Sequence, residues 1–190
     1  MPALFLDRDG VLNEDRHLIT RSEDLVLLPG VADALAKAAA AGFKLVVVSN
    51  QPVVARGLLD EAGVRRLHRH LQAMLEEKGA PRLDGWNFCP HHPEADLPAY
   101  RIVCECRKPR PGMLLQAAVE LGIDLPDSFM IGDRISDVIA GSRAGCRTIH
   151  VHTGRQVDQP IRGVDPADLD TNADHVCRDL TAAVEWILKQ

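Results

Sequence analysis

The sequence predicts an α/β domain: a doubly wound, mostly parallel sheet with helices on both faces. Three observations predict it. Apolar runs of strand length alternate with longer segments of helical pattern along the 190 residues. Three of those runs end in polar turns, Asp7-Arg8-Asp9-Gly10, Ser49-Asn50-Gln51 and Gly132-Asp133-Arg134. The carboxyl ends of strands are where an open α/β sheet binds its ligands. The composition, 46% hydrophobic and 26% charged, suits one globular domain, and with 4% aromatic residues its core must be mostly aliphatic.

The elements follow in order. Ala3 to Leu6 is a buried apolar strand. Pro29-Gly30-Val31 opens a helix that runs from Ala32 to Ala41, rich in alanine and stopped by Gly42. Lys44 to Val48 is the next strand. Leu59 to Lys78 is a longer helix with Asp60 as a plausible cap. Its apolar Val64, Leu67, Leu71, Met74 and Leu75 share one face, and Gly79 ends it. Leu83 to Phe88 is a short strand, and Cys89 to Cys106 a loop rich in Pro, His and Cys. Pro111 to Leu121 is a helix bounded by that proline and by Gly122. Ser128 to Ile131 is a strand, Ile135 to Ala144 a helix closed by Gly145, and Arg147 to Val151 a strand. The stretch from Gly154 to Asn172 is polar and loop-like. His175-Val176 and Leu180 to Leu188 supply a last short strand and helix.

Residues 1–190 are therefore expected to be a single domain without repeat or linker. The formal charge of −5 provides no basic field for nucleic acid. No apolar run reaches membrane-spanning length, and Met1-Pro2-Ala3 leads straight into the first strand with no leader pattern. A cytoplasmic, monomeric protein that binds neither membrane nor nucleic acid is expected. In that compartment five cysteines point to metal binding or core packing before disulfides.

Asp7 and Asp9 alternate along an extended backbone, so their carboxylates can lie on one side of the strand end. Their repulsion would raise one pKa unless a cation sat between them, and a hard cation such as Mg²⁺ would suit. Gly10 then lets the chain turn sharply. In the loop, Cys89, Cys104 and Cys106 with one imidazole form the ligand set of a tetrahedral structural zinc site. His91 and His92 compete for the fourth position. A metal there would stand in for the core that such a loop lacks. Cys146 and Cys177 read as small core residues.

In combination these motifs resemble the haloacid dehalogenase (HAD) superfamily of phosphatases. The carriers are Asp7-x-Asp9-Gly10-Val11-Leu12-Asn13, Ser49-Asn50-Gln51, Arg107-Lys108-Pro109, and Gly132-Asp133-Arg134 with Asp137. The run Cys89-Pro90-His91-His92-Pro93 with Cys104-x-Cys106-Arg107-Lys108-Pro109-x-Pro111-Gly112-Met113 is similar to the branch of heptose-bisphosphate and histidinol-phosphate phosphatases. The resemblance spans Leu4 to about His152. It implies a HAD-like Rossmannoid fold, and the short interval between Asn13 and Pro29 implies that no cap domain is present.

The resemblance also implies the roles. Asp7 is the nucleophile and Asp9 the general acid and base. Mg²⁺ is held by Asp7, Asp133 and Asp9, the last through its main-chain carbonyl. Ser49 and the amides around Asn50 hold phosphoryl oxygens, and Lys108 supplies a cation to the transferring group. Asp137 orients Lys108 or a metal-bound water, and Asn13 braces the turn. Asn50, Gln51, Arg107, Lys108, Asp15 and Arg134 are the expected substrate contacts, with Arg107 clamping a second phosphate. Zinc falls to Cys89, His91, Cys104 and Cys106. The expected substrate is a phosphorylated sugar, a heptose 1,7-bisphosphate, with histidinol phosphate as the alternative. A phosphotransferase would need a cap to exclude water, and a zinc-stabilised binding module would not need the catalytic set. The branch usually carries a hydroxyl-glycine pair where this chain has Pro52-Val53-Val54, and a Gly-Tyr where it has Asp15-Arg16-His17-Leu18.

Overall fold

The computed structural model describes residues 1–154 and 172–190. Most of the stretch read as a polar loop after Gly154 lies outside them. Five strands form before that gap: β1 (Ala3–Leu6), β2 (Lys44–Asn50), β3 (Gly85–Cys89), β4 (Phe129–Gly132) and β5 (Arg147–Val151). β6 (His175–Cys177) follows it. The helices are α1 (Val31–Ala40), α2 (Glu61–Glu77), α3 (Gly112–Leu121), α4 (Ile135–Ala144) and α5 (Leu180–Ile187). Every strand pair is parallel, in the order β3-β2-β1-β4-β5-β6.

Both faces of this sheet are covered, which is why its strands read as continuous apolar runs. Leu4 and Leu6 of β1 pack with α1, α2 and α5 on one face. Ala3 and Phe5 of the same strand pack with α3 and α4 on the other. The fold class is as the alternation of elements predicts. No helix of the described residues is long and apolar enough to cross a membrane.

The element bounds shift at two places, each for a local reason. β3 starts at Gly85 rather than Leu83, because Asp84 uses its own amide and carboxylate on the Leu45 peptide (2.8 Å each) and so occupies the first rung. β2 runs on to Asn50 because Ser49 and Asn50 pair with Phe88 and Cys89. The second polar turn is thus the end of a strand, where successive side chains point to opposite faces. Helix α2 begins directly after Asp60, whose carboxylate accepts from the Gly63 amide at 2.6 Å as a cap.

Connections from β1 lead to β2 on one side, while its other neighbour is β4. The sheet therefore has its switch point at β1, and in open α/β sheets ligands bind outside the carboxyl ends at that position. The chain leaves β1 into Asp7, β2 ends in Ser49-Asn50, and β4 ends just before Asp133.

Candidate active site

Three separated segments meet at that edge. The Lys108 ammonium lies 3.1 Å from Asp7 Oδ1 and 2.6 Å from Asp137 Oδ1, with all three side chains at most 10% exposed. Suitable oxygens of Asp7, Asp133 and Asp137 lie within 4.8 Å of one another. Asp137 does two jobs. Its Oδ2 accepts from the Arg134 amide at 3.1 Å, which caps α4, while Oδ1 faces Lys108. Gly10 must be glycine here: its φ is 83°, and an added Cβ would stand 2.6 Å from the Asp133 carboxylate.

Asp9 faces a different set. Its carboxylate accepts from Arg8 Nε and Nη2 (3.0 and 2.8–2.9 Å), Asn13 Nδ2 (2.9 Å) and Gln51 Nε2 (3.1 Å). Arg8 is 1% exposed. Sequence reasoning missed this guanidinium, and its only signal was its place between two acidic residues at a strand end. Burial acts to raise the Asp9 carboxyl, but Arg8 and the hydrogen bonds from Asn13, Arg8 and Gln51 outweigh it and hold Asp9 below the usual carboxylate range. The expected repulsion between Asp7 and Asp9 is thus relieved by an internal arginine on the Asp9 side.

The other group behaves oppositely. Burial pushes Asp7 up to about 6 against the pull of Lys108. Burial, then the charges of Asp7 and Asp137, push Asp133 up to about 8. Neither Asp133 oxygen has a hydrogen-bond partner among the described residues, although the side chain is 2% exposed. An unpaired buried carboxylate beside two others is costly unless a cation joins them. This oxygen-only, carboxylate-rich group fits Mg²⁺. The Asp9 carboxylate is not part of it.

A pH dependence follows. Unfolded Asp133 would titrate near 3.8 and the folded residue near 8, so between these values the folded chain binds more protons. Without magnesium, stability should fall as pH rises through that window. Added Mg²⁺ binds the ionised form, so it should raise the melting temperature more at about pH 8.5 than at about pH 5.5. Thermal melts with and without Mg²⁺ at both values check this, and equal gains would contradict it.

The remaining expected contacts divide. Ser49 is buried, and its Oγ accepts from Gln51 Nε2 at 2.9 Å. The side-chain carboxamide of Asn50 reaches Lys108, and that of Gln51 reaches Asp9. Arg134 Nη2 donates to Asp15 at 2.8 Å, and its Nε lies 3.9 Å from Asp133. Arg107 donates to the His91 carbonyl at 2.9 Å. Burial lowers Arg107, and the Arg134 charge adds to this. Arg16 pairs with Glu14 on the surface, and the His17 amide donates to Asp15. His150 Nε2 lies 3.0 Å from the Asp133 carbonyl and must carry the proton of that bond; nothing in the local sequence marked it. A separate cavity of about 440 Å³ beside Arg21, Arg66 and His70 contains none of these residues.

The second cluster hangs from the end of β3. Cys89, Cys104 and Cys106 Sγ lie 3.2–3.5 Å apart, and His91 Nδ1 is 3.5–3.7 Å from two of them. A tetrahedron with zinc–ligand bonds of about 2.0–2.3 Å has edges close to this length. All three thiols are free. Hydrogen bonding, first from Cys89, lowers Cys106 to about 5 and favours the thiolate that zinc needs. His92 faces elsewhere, accepting from the Glu94 amide at 3.1 Å. That separates the two candidate histidines.

Two aspartates after β1, a hydroxyl on β2, a buried lysine and an aspartate after β4 lie on the fold of a HAD-like phosphatase, a phosphoric monoester hydrolase. The HAD-hydrolase-like family model matches residues 105–183. A D-glycero-β-D-manno-heptose-1,7-bisphosphate 7-phosphatase of Photorhabdus laumondii is 42% identical, over 100% of this chain and 98% of that protein. One from Rhodopseudomonas palustris is 48% identical, over 76% and 79%. The crystal structure of D,D-heptose 1,7-bisphosphate phosphatase from B. bronchiseptica complexed with magnesium and phosphate superposes with a TM-score of 0.81 at 33% identity, covering 100% and 99%. The chain belongs to this family of heptose-bisphosphate 7-phosphatases.

Proposed function

We propose that the protein is a Mg²⁺-dependent phosphatase that removes the 7-phosphate of D-glycero-β-D-manno-heptose 1,7-bisphosphate. The observation that carries the reading is Asp7 beside Lys108 and the buried Asp133 with no hydrogen-bond partner among the described residues, in a chain 42% identical along its full length to a phosphatase of that name.

Asp7 attacks the phosphorus as its Lys108 contact holds it aimed, and an aspartyl-phosphate forms as the bond to the sugar oxygen breaks. Asp9 gives that oxygen a proton, then takes one from the water that releases phosphate. The acid step uses Asp9 in its protonated form and the proton taken from water restores it; the clamp of Arg8, Asn13 and Gln51 favours the ionised form, the one that activates water. Asp7 and Asp133 would hold Mg²⁺, with Asp137 within reach of the same point. The ion would supply positive charge against the anionic phosphoryl group. Lys108 adds a fixed cation, and Ser49 offers a hydroxyl to phosphoryl oxygen. Arg134, whose Nε lies 3.9 Å from Asp133, and Arg107, next to Lys108 in the chain, suit the phosphate that is not cleaved, since guanidinium binds phosphate bidentately.

In this reading the chain is a single capless domain that works as a monomer. It acts in the cytoplasm, where reduced thiols can hold zinc. A panel of phosphate esters with Mg²⁺ present tests the substrate. Heptose 1,7-bisphosphate should give the highest kcat/KM, by about 100-fold or more over histidinol phosphate if the second phosphate is recognised by charge pairing. Preference for histidinol phosphate would refute the assignment and retain the reaction class.

A further inference from the structure

We propose that Asn50 is a positioning residue that sets Lys108, through both sides of one peptide unit. Its Nδ2 donates to the Lys108 carbonyl at 3.0 Å, and its Oδ1 accepts from the Lys108 amide at 3.1 Å. A carboxamide meeting one residue's N–H and C=O makes the same pair of bonds that a neighbouring strand would. The segment so held, 107–110, belongs to no strand or helix and has no ladder of its own. It connects the metal loop to α3 and carries the ammonium that touches both Asp7 and Asp137. Two anchors therefore frame Lys108: the thiol cluster two residues upstream at Cys106, and Asn50 from β2, 58 positions away.

Asn50 can occupy this place because β2 runs one residue past Ser49. Ser49 and Asn50 then face opposite ways, Ser49 toward Gln51 and Asn50 toward the lysine segment. Neighbouring side chains at one strand end thus hold the two halves of the site separately. Gln51 holds Asp9, and Asn50 holds Lys108. The two carboxylates fix the ammonium end of Lys108, and Asn50 fixes its peptide. Without the clamp the peptide can shift, and a displacement of about 1 Å at a catalytic cation can cost about 100-fold in rate. The inference rests on Lys108 serving the phosphoryl group, as in the function proposed above.

Two variants test it, assayed with heptose bisphosphate and with p-nitrophenyl phosphate so that an error in sugar specificity does not touch the result. Asn50→Ala should lower kcat by about 100-fold on both substrates and leave KM within about twofold. Zinc content should remain at the wild-type level. Asn50→Asp has the same size and keeps the acceptor for the Lys108 amide while losing the donor, so its kcat should fall between wild type and Asn50→Ala. If Asn50 instead touched the substrate phosphate, the added negative charge would make Asn50→Asp the worse variant and raise its KM on both substrates. That order, or wild-type kcat in both variants, overturns the proposal. Should Asn50→Ala fail to fold, Asn50→Asp alone decides: reduced kcat at unchanged KM supports the clamp, and raised KM or unchanged kcat refutes it. Wild-type inactivity toward heptose bisphosphate with activity on p-nitrophenyl phosphate would refute the substrate assignment alone.

Discussion

Replacing Asp7 with asparagine should leave a folded, zinc-loaded protein whose kcat is lower by about 10⁴-fold or more, the usual scale for losing a nucleophile. The amide is nearly the shape of the carboxylate, so its buried place beside Lys108 can still be filled. It cannot form the acyl-phosphate. The stability outcome separates this from simple damage. Burial and the charges of Asp137 and Asp9 outweigh the attraction of Lys108 and raise Asp7 to about 6. An acid whose folded pKa lies above its unfolded value costs stability once the pH exceeds that value. At about pH 8 the neutral side chain should therefore melt no lower than wild type in the absence of Mg²⁺. Phosphate release and thermal melts on the same preparations check both halves. Turnover at the wild-type rate would remove Asp7 as the nucleophile.

The second large effect concerns the thiol cluster. Protein purified without added metal should contain about one zinc per chain. Stripping that zinc, or making Cys106→Ser, should lower the melting temperature by about 10 °C or more, because several kcal/mol of metal binding hold a segment with little regular structure. From Pro90 to Pro111 that segment holds only one short 3₁₀ turn, Pro98–Tyr100. Activity should fall with it, because Arg107 and Lys108 directly follow Cys106, and Arg107 also bonds the carbonyl of the ligand His91. Zinc added back to the stripped wild type should restore both, and added back to Cys106→Ser should restore neither fully. Metal analysis, melts and phosphate release follow the course. A zinc-free chain with unchanged melting and full turnover would exclude a structural metal.

Much of this was legible along the chain because it is local. The strand spans of β1 and β5 match the apolar runs Ala3 to Leu6 and Arg147 to Val151, and the helix span of α4 ends where Gly145 stops it. The metal loop was readable from ligand type alone, since three thiols and an imidazole in an otherwise polar, proline-rich stretch have few other uses. Ligand type alone left His91 and His92 in competition; the resemblance pointed to His91, and in the structure His91 faces the thiols while His92 turns to the Glu94 amide. The substrate contacts were the weakest part, since they too depend on where each side chain is turned. Asn50 and Gln51 sit where a phosphate-binding turn would be expected, yet their side-chain carboxamides bond to protein partners 58 and 42 positions away.

What the amino-acid sequence by itself determined is the chemistry available and the edge of the sheet where it gathers. Carboxylates, a hydroxyl and glycine turns at strand ends must converge once the strands are parallel and neighbouring. What only the tertiary structure decided is which charge each group meets. Asp9 is held below the usual carboxylate range by the buried Arg8, while Asp133 has no hydrogen-bond partner among the described residues and is pushed up to about 8. Those outcomes depend on burial and on partners across distances of a few ångströms, where the interaction of two charges changes several-fold with solvent exposure. Local spacing carries no record of that exposure, so a D-x-D pair looks symmetric until the fold gives its two members different surroundings.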